Sequence, residues 1–330
     1  MKVMFLVLII GVGGVLIYLS SLNPVGDPSM KKVVVIPEGA PFSKVVHELH
    51  EEGLIGSVWA FQWMGRLKGV ERNIIPGEYQ LEGGMNPSNI LAKLVNGQVI
   101  QHSITIPEGY TTFQIADVLE EKNLMTRSAF IEAVRDPELI HSLGLEVQSL
   151  EGYLFPDTYF LTRSMSNQAV VRLLVSRLQE TLTTEFRDRA SAIGMSIHEV
   201  LTLASVIEKE TGLSDERTLI SGVFHNRLRR KIPLQSDPTV IYALEMFDGN
   251  LRKRDLTVDS PYNTYRVRGL PPGPIANPGA ASIRAALFPA PTSFLYFVSR
   301  NDGSHKFSST LTEHNSAVRK YQRGRIRQAS

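Results

Sequence analysis

Apolar and polar positions alternate along this chain in four regimes, and each regime predicts a different kind of element. The first is Val3 to Leu22, an uncharged, almost wholly apolar run directly after Lys2. At about 1.5 Å per residue such a run crosses a bilayer core of about 30 Å. It exceeds the roughly 7–15 residues of a signal-peptide apolar region, and Leu19-Ser-Ser-Leu22 is a poor small-x-small cleavage site. The expectation is an uncleaved transmembrane anchor over residues 1–22, followed by a Pro/Gly linker over 23–32. Lys2 places the amino terminus in the cytoplasm by the positive-inside rule, although Lys31 and Lys32 weaken the bias. Everything after Asn23 would then lie outside the cytoplasm, in the periplasm or its equivalent.

The second regime repeats itself. Ile36-Pro-Glu-Gly39 returns as Ile106-Pro-Glu-Gly109, each after a β-rich run and before a helical pattern ending at Leu54 or Leu124. Pro76-x-x-Tyr79-x-Leu81-x-x-x-Met85 returns as Pro156-x-x-Tyr159-x-Leu161-x-x-x-Met165, at an offset of eighty residues where the first pair is offset by seventy. An insertion of ten residues reconciles the two. Two related β-helix-helix-β units are predicted, over 33–100 and 102–180, the second built into a larger region spanning 101–330. In the first, Tyr79, Trp59 and Trp63 are candidate sugar platforms, although Trp59 and Trp63 at helical spacing read rather as core, and His47 and His50 read as solvated or packed.

The third regime is an apolar helix that ends in carboxylates. Ser196 followed by Glu199 has the form of a capping box, and Gly212 is placed to stop the helix. Val200, Leu201, Leu203, Ala204, Val206 and Ile207 cover it nearly all round, which predicts burial. Glu208 inherits that dry setting and shares a face with Leu201, Ala204 and Ser205. Desolvation disfavours a charged carboxylate, as a general acid requires. The competing reading makes Glu208 a helix-end carboxylate paired with Lys209 or Arg217. Glu210, about 200° further round the axis, points elsewhere.

The fourth regime has no period. Nine of the eighteen prolines fall between Pro233 and Pro291, among Gln235, Asp237, Asn263, Tyr265 and Asn277. Proline stiffens a loop without making regular structure, and amides among aromatic rings suit carbohydrate. Helices are predicted over Leu219 to Leu228, Asp237 to Leu244 and Pro278 to Leu287. A hairpin pairs Phe294 to Ser299 with His305 to Ser308, and Thr310 with Glu313 caps a last helix through Tyr321. The fold class is α+β.

Composition narrows the function. The chain has 330 residues, 43% hydrophobic content and a formal charge of +2, enough for about two domains. That balance argues against a nucleic-acid platform, and the basic tail from Arg319 to Arg327 reads as a solvated helix end. There is no cysteine, so thiol chemistry and cysteine-ligated zinc are excluded. His305 and His314 lack the carboxylate spacing of a metal site.

Together Ala204-Ser-Val-Ile-Glu-Lys-Glu-Thr211, Val223-Phe-His-Asn-Arg-Leu228, Leu234-Gln-Ser-Asp-Pro-Thr-Val-Ile-Tyr242, Tyr262-Asn-Thr-Tyr265, Gly269-Leu-Pro-Pro-Gly-Pro-Ile-Ala-Asn-Pro-Gly279 and Tyr296-Phe-Val298 resemble the YceG-like (MltG) family of bacterial endolytic murein transglycosylases. The likeness runs in order through essentially the whole chain, including Glu151-Gly-Tyr-Leu-Phe-Pro-Asp-Thr-Tyr159. It implies a LysM-like module over 33–100 and a catalytic region over 101–330. It makes Glu208 the catalytic acid, cutting the bond between N-acetylmuramic acid and N-acetylglucosamine within nascent glycan strands to leave 1,6-anhydro ends. Glu151, Gln235, Asp237, Asn263 and Tyr265 are then expected to position sugar. No metal or cofactor is implied, and the expected partners are glycan strands, peptidoglycan synthases and the membrane. A hydrolase on the same scaffold, with Asp237 or Glu151 activating water, and a non-catalytic glycan-binding anchor are the competing readings.

Overall fold

The computed structural model describes residues 18–244 and 246–322. The apolar run therefore lies outside the described residues but for positions 18–22, as do Arg323, Arg325 and Arg327 of the basic tail. Among the described residues no single helix is long and apolar enough to cross a membrane. The fold is α+β, and the chain divides into two units, Met1–Ser103 with Phe160–Ser166 and Ile104–Tyr159 with Asn167–Ser330.

The first unit runs β1 (Lys31–Ile36), α1 (Phe42–Glu51), α2 (Val58–Leu67), β2 (Gly77–Glu82) and α3 (Pro87–Val95). β1 and β2 pair antiparallel from Lys31 opposite Glu82 to Ile36 opposite Gly77. The period of two buries Val34 and Ile36 while Val33 and Val35 face outward. Leu49, Phe61, Leu81, Ile90 and Leu94 complete the core. Tyr79 is part of that core and not a platform, its hydroxyl donating to the carbonyls of Ile75 at 2.5 Å and Leu94 at 3.2 Å. The two tryptophans depart from expectation: Trp59 is 55% exposed and Trp63 41%. Ala60, Phe61, Met64 and Gly65 take the inward face of α2, which leaves the aromatic positions on the other side.

Next along the chain come β3 (His102–Thr105), α4 (Thr112–Glu121), α5 (Arg127–Arg135), α6 (Pro137–Ser142) and β4 (Thr158–Leu161), and β3 pairs with β4. The local geometry of the first unit recurs here. Gly39 and Gly109 both turn at positive φ, +73° and +75°, after the same Ile-Pro-Glu. Leu54 N donates to Leu49 O at 2.9 Å, and Leu124 N to Leu119 O at 3.0 Å. Tyr159 OH donates to Phe155 O at 2.6 Å, as Tyr79 does to Ile75. The extra residues of the second copy fall between Leu124 and Pro156, where α6 has no counterpart.

Beyond β4 come α7 (Asn167–Thr181), α8 (Thr184–Ala192), α9 (Ile197–Glu210), α10 (Ser214–Arg229), α11 (Asp237–Ala243), α12 (Ala280–Leu287), the hairpin β5 (Tyr296–Ser299) with β6 (His305–Ser308), and α13 (Leu311–Tyr321). The capping boxes at Ser196/Glu199 and Thr310/Glu313 both form. α10 starts five residues before the sequence pattern indicates, because Asp215 and Glu216 suit the positive end of a helix. α9 is the hub: α10, α11 and α12 all pack against it, burying Val200 through Ile207.

Side chains of α10 secure the loops around this hub. Asn226 Nδ2 donates to the carbonyls of Thr292 and Phe294 at 2.8 and 2.9 Å. Arg227 donates to Leu295 O at 2.6 Å and Leu234 O at 2.9 Å. A buried guanidinium answered by carbonyls fixes irregular backbone that no ladder could hold. The Val223-Phe-His-Asn-Arg segment is thus a clamp on the segments that flank α9.

Candidate active site

The end of α9 emerges from the core with its last carboxylates on opposite sides, as a rotation of about 200° requires. Glu208 is nearly buried, its side chain 6% exposed. One carboxylate oxygen accepts a hydrogen bond from Gly279 N at 3.0 Å, at the start of α12. The other lies 3.5 Å from Arg217 Nη2 on α10. A helix start and a guanidinium therefore both present positive charge to it. Arg217 Nε is buried and meets no acceptor among the described residues, so one donor of this guanidinium is unspent.

A second carboxylate shares that arginine. Glu108 Oε2 stands 3.8 Å from the same Nη2. Burial, and then the charge of Glu208, push its carboxyl above the usual range, against the pull of Arg217. Gly279 lies between the two acids: a Cβ there would overlap the Glu108 carboxylate. Gly109 is equally constrained, with positive φ and a virtual Cβ only 3.3 Å from Glu208 Cγ. Lys209 closes this wall by donating to Gly109 O at 3.2 Å.

Two buried networks hold the walls. Ser205, one turn before Glu208, accepts from Ile275 N at 3.0 Å and ties α9 to the proline-rich segment. Both oxygens of Glu151 accept from Thr112 N, at 3.0 and 3.1 Å, and Oε1 also from Asn277 Nδ2 at 3.0 Å. Asn277 in turn donates to Tyr110 O and accepts from Leu154 N, both at 2.9 Å. Burial pushes the Glu151 carboxyl up to about 7, although these hydrogen bonds oppose the rise. Glu151 thus braces the Gly109 turn against the proline-rich segment.

On the far side of α9, Glu210 accepts from Ser236 Oγ at 2.5 Å, and its burial raises it to about 7 as well. Four of the five expected sugar-positioning residues fall on this side, all but Glu151, in two segments joined by Gln235 N donating to Thr264 O at 3.1 Å. Asp237 accepts from Tyr265 OH at 2.6 Å, and Gln235 Oε1 accepts from Arg227 at 3.3 Å. Asn263 is fully buried, donating to Leu256 O and Val258 O and accepting from Tyr265 N. None of the five expected sugar-positioning residues hydrogen-bonds Glu208 among the described residues. The residues around it are Glu108, Arg217 and Gly279. Glu108 was legible only as part of the Ile106-Pro-Glu-Gly109 repeat, where a carboxylate precedes a forced glycine turn.

A cavity of about 1200 Å³ opens at the start of α9, where Ile197 and His198 line it, and its lining includes neither Glu108 nor Glu208. Pro272 to Pro274 form one wall; Tyr242 and Tyr262, with ring centroids 4.9 Å apart, line it together with Tyr153. Tyr153 OH meets His198 Nδ1 at 2.9 Å, and the other ring nitrogen of His198 meets Pro272 O at 2.8 Å.

Known proteins share this chain's sequence and fold. The profile of the YceG-like family matches residues 34–320. An endolytic murein transglycosylase of Bacillus subtilis strain 168 is 36% identical, over 94% of this chain and 91% of its own. One from Streptococcus pneumoniae strain D39 is 31% identical over 91% of this chain, which spans 60% of that longer relative. A crystal structure of a YceG-like protein from Listeria monocytogenes superposes with a TM-score of 0.61 at 34% identity, covering 87% of this chain and 98% of the other. A profile match over most of the chain and a solved relative of the same fold agree: the chain belongs to the YceG-like family.

Proposed function

We propose that this chain is an endolytic lytic transglycosylase of peptidoglycan, a lyase, with Glu208 as its acid and base. The observation that carries this reading is one nearly buried carboxylate at the end of a fixed apolar helix, met by Arg217 and Gly279 N–H, in a member of a family whose relatives bear that activity's name. Glu208 donates its proton to the glycosidic oxygen between N-acetylmuramic acid and N-acetylglucosamine as the C1–O bond breaks. The carboxylate then takes the proton of the same muramyl residue's 6-hydroxyl while O6 bonds to C1. The acid is regenerated and no water is consumed. Charge on Glu208 appears and disappears within one turnover, and Arg217 is placed to balance it. Glu108, on the same nitrogen, sets that balance as a positioning residue.

A hydrolase needs a second carboxylate free to activate water. Glu151 is buried with both oxygens occupied, and Asp237 bonds Tyr265 on the side of α9 away from Glu208. Among the described residues, the half-exposed Glu108 is the one carboxylate beside Glu208 that a hydrolase could use, and product analysis separates the two routes. The tyrosine-lined cavity supplies apolar faces of the kind that sugars stack on, and the 33–100 module is the LysM-like glycan reader of the pair of related units. The apolar run at residues 3–22 anchors the protein once through the cytoplasmic membrane with its body outside. There it ends nascent strands beside peptidoglycan synthases. Mass spectrometry of products from purified glycan strands tests the reading. Internal fragments with anhydro ends, lost in Glu208→Gln, are expected; ends heavier by one water would overturn it.

A further inference from the structure

The sequence contains two tryptophans, and the structure puts both on the outside of one helix. Trp59 and Trp63 of α2 are four residues apart, and Leu67, four further, is 70% exposed. Positions at this spacing stack on a single face, so they make one apolar stripe. α2 contains no acidic residue; Arg66 lies 5.8 Å over the Trp63 ring and pairs with Glu71 at 3.4 Å, and Lys68 caps the end of the helix.

The stripe begins where the apolar run ends. Tyr18 meets Trp59 edge-on, with centroids 6.0 Å apart and planes at 86°. Leu22 packs on the core of the unit, and Val25 O accepts from Gly84 N at 2.6 Å. The chain leaving residues 3–22 is thereby fastened beside the start of α2. Leu19, also exposed, extends the apolar surface in the same direction along the chain.

We propose that the Trp59–Trp63–Leu67 face of α2 lies in the headgroup layer of the membrane that holds residues 3–22. This rests on the anchor reading given above. Tryptophan and tyrosine favour that layer because an apolar ring can enter the acyl boundary while its polar edge stays wet. Lys68 meets anionic headgroups, Arg66 being already paired with Glu71, and a shallow aromatic contact orients a module that one spanning segment would leave free to turn. A sugar platform fits less well. The two rings are tilted 60° to each other, and a cavity of this unit, lined by Ile36, Pro37, Phe42 and Pro76, includes neither of them.

Because these are the sequence's two tryptophans, intrinsic fluorescence reads this surface directly. The full chain would be reconstituted in phosphatidylethanolamine/phosphatidylglycerol nanodiscs, with and without lipid brominated near the top of the acyl chains. The expected result is blue-shifted emission that brominated lipid quenches, and that survives in part in Trp59→Phe and in Trp63→Phe. A chain that elutes with the disc but whose emission is quenched by aqueous iodide and not by bromine would overturn the proposal while leaving the anchor intact. A shift on adding N-acetylglucosamine oligomers, without bromine quenching, would overturn it in favour of a glycan platform. Failure to elute with the disc would overturn the anchor and this surface together.

Discussion

Glu208 is a carboxylate whose surroundings were assembled from parts of the chain far apart in sequence. Its burial was legible, because an apolar run enclosing the last turns of a helix leaves a residue at its end little water. Its neighbours were not. Arg217 looked like an ordinary cation and Glu108 like one letter of a repeated turn. Only folding brings Gly279 N to 3.0 Å from one oxygen and Arg217 to 3.5 Å from the other. Gly279 supplies a sharp test, because a side chain there would meet Glu108 before anything else. Gly279→Ala is expected to keep the melting temperature within a few degrees and to lower turnover by roughly a hundredfold, the scale of a misplacement of about 1 Å at a reacting centre. Wild-type turnover in that variant would show that the Glu108 geometry is idle. In Glu208→Gln the charge beside Glu108 is gone, so its carboxyl is expected to titrate lower than in the native protein, measurable by NMR of labelled glutamate. An unchanged titration would mean the two acids do not interact.

At the level of elements, capping signals gave helix starts with good fidelity. Ser196 accepts from Glu199 N at 3.2 Å while the Glu199 carboxylate returns to Ser196 N at 2.8 Å, so α9 starts where the pattern put it. Ser196→Ala is expected to cost about 1 kcal/mol in denaturant unfolding. No loss would mean that packing against α10 and α12 alone sets the helix. The proline-rich segments were recognisable as stiff loops, but not what they stiffen. Asn263 closes a loop upon itself through the carbonyls of Leu256 and Val258, while Asp237 bonds Tyr265 and Gln235 meets Arg227, because amides and hydroxyls serve the fold as readily as sugar. Trp59 and Trp63 misled for a related reason. Helical spacing tells that two residues share a face, not which side that face looks to.

For the molecule as a whole, two buried acids couple folding to pH. Glu151 and Glu210 are raised by burial to about 7 from a usual 4.5. Between those values the native state holds protons that the unfolded chain has released, so stability falls as pH rises through that window. Each group accounts for up to about 3 kcal/mol. Partly buried His225 and His314, whose pKa values burial lowers, work in the opposite direction, so the test is by difference. Glu151→Gln and Glu210→Gln are each expected to shift the change in melting temperature from pH 5 to pH 8 upward relative to the native chain, and an unchanged pH dependence in both would refute the burial argument. The α+β class was accessible from periodicity, and the Ile-Pro-Glu-Gly echo marks two glycine turns at positive φ, at Gly39 and Gly109. The extra helix α6 was visible only as a jump in offset from seventy to eighty residues. Chemistry without water is the central claim, and isotopic labelling tests it most directly. Purified glycan strands would be cut by the full chain in water enriched in oxygen-18 and the new ends weighed. The account predicts anhydro ends carrying no label; label at the newly formed ends would contradict it and make the protein a hydrolase.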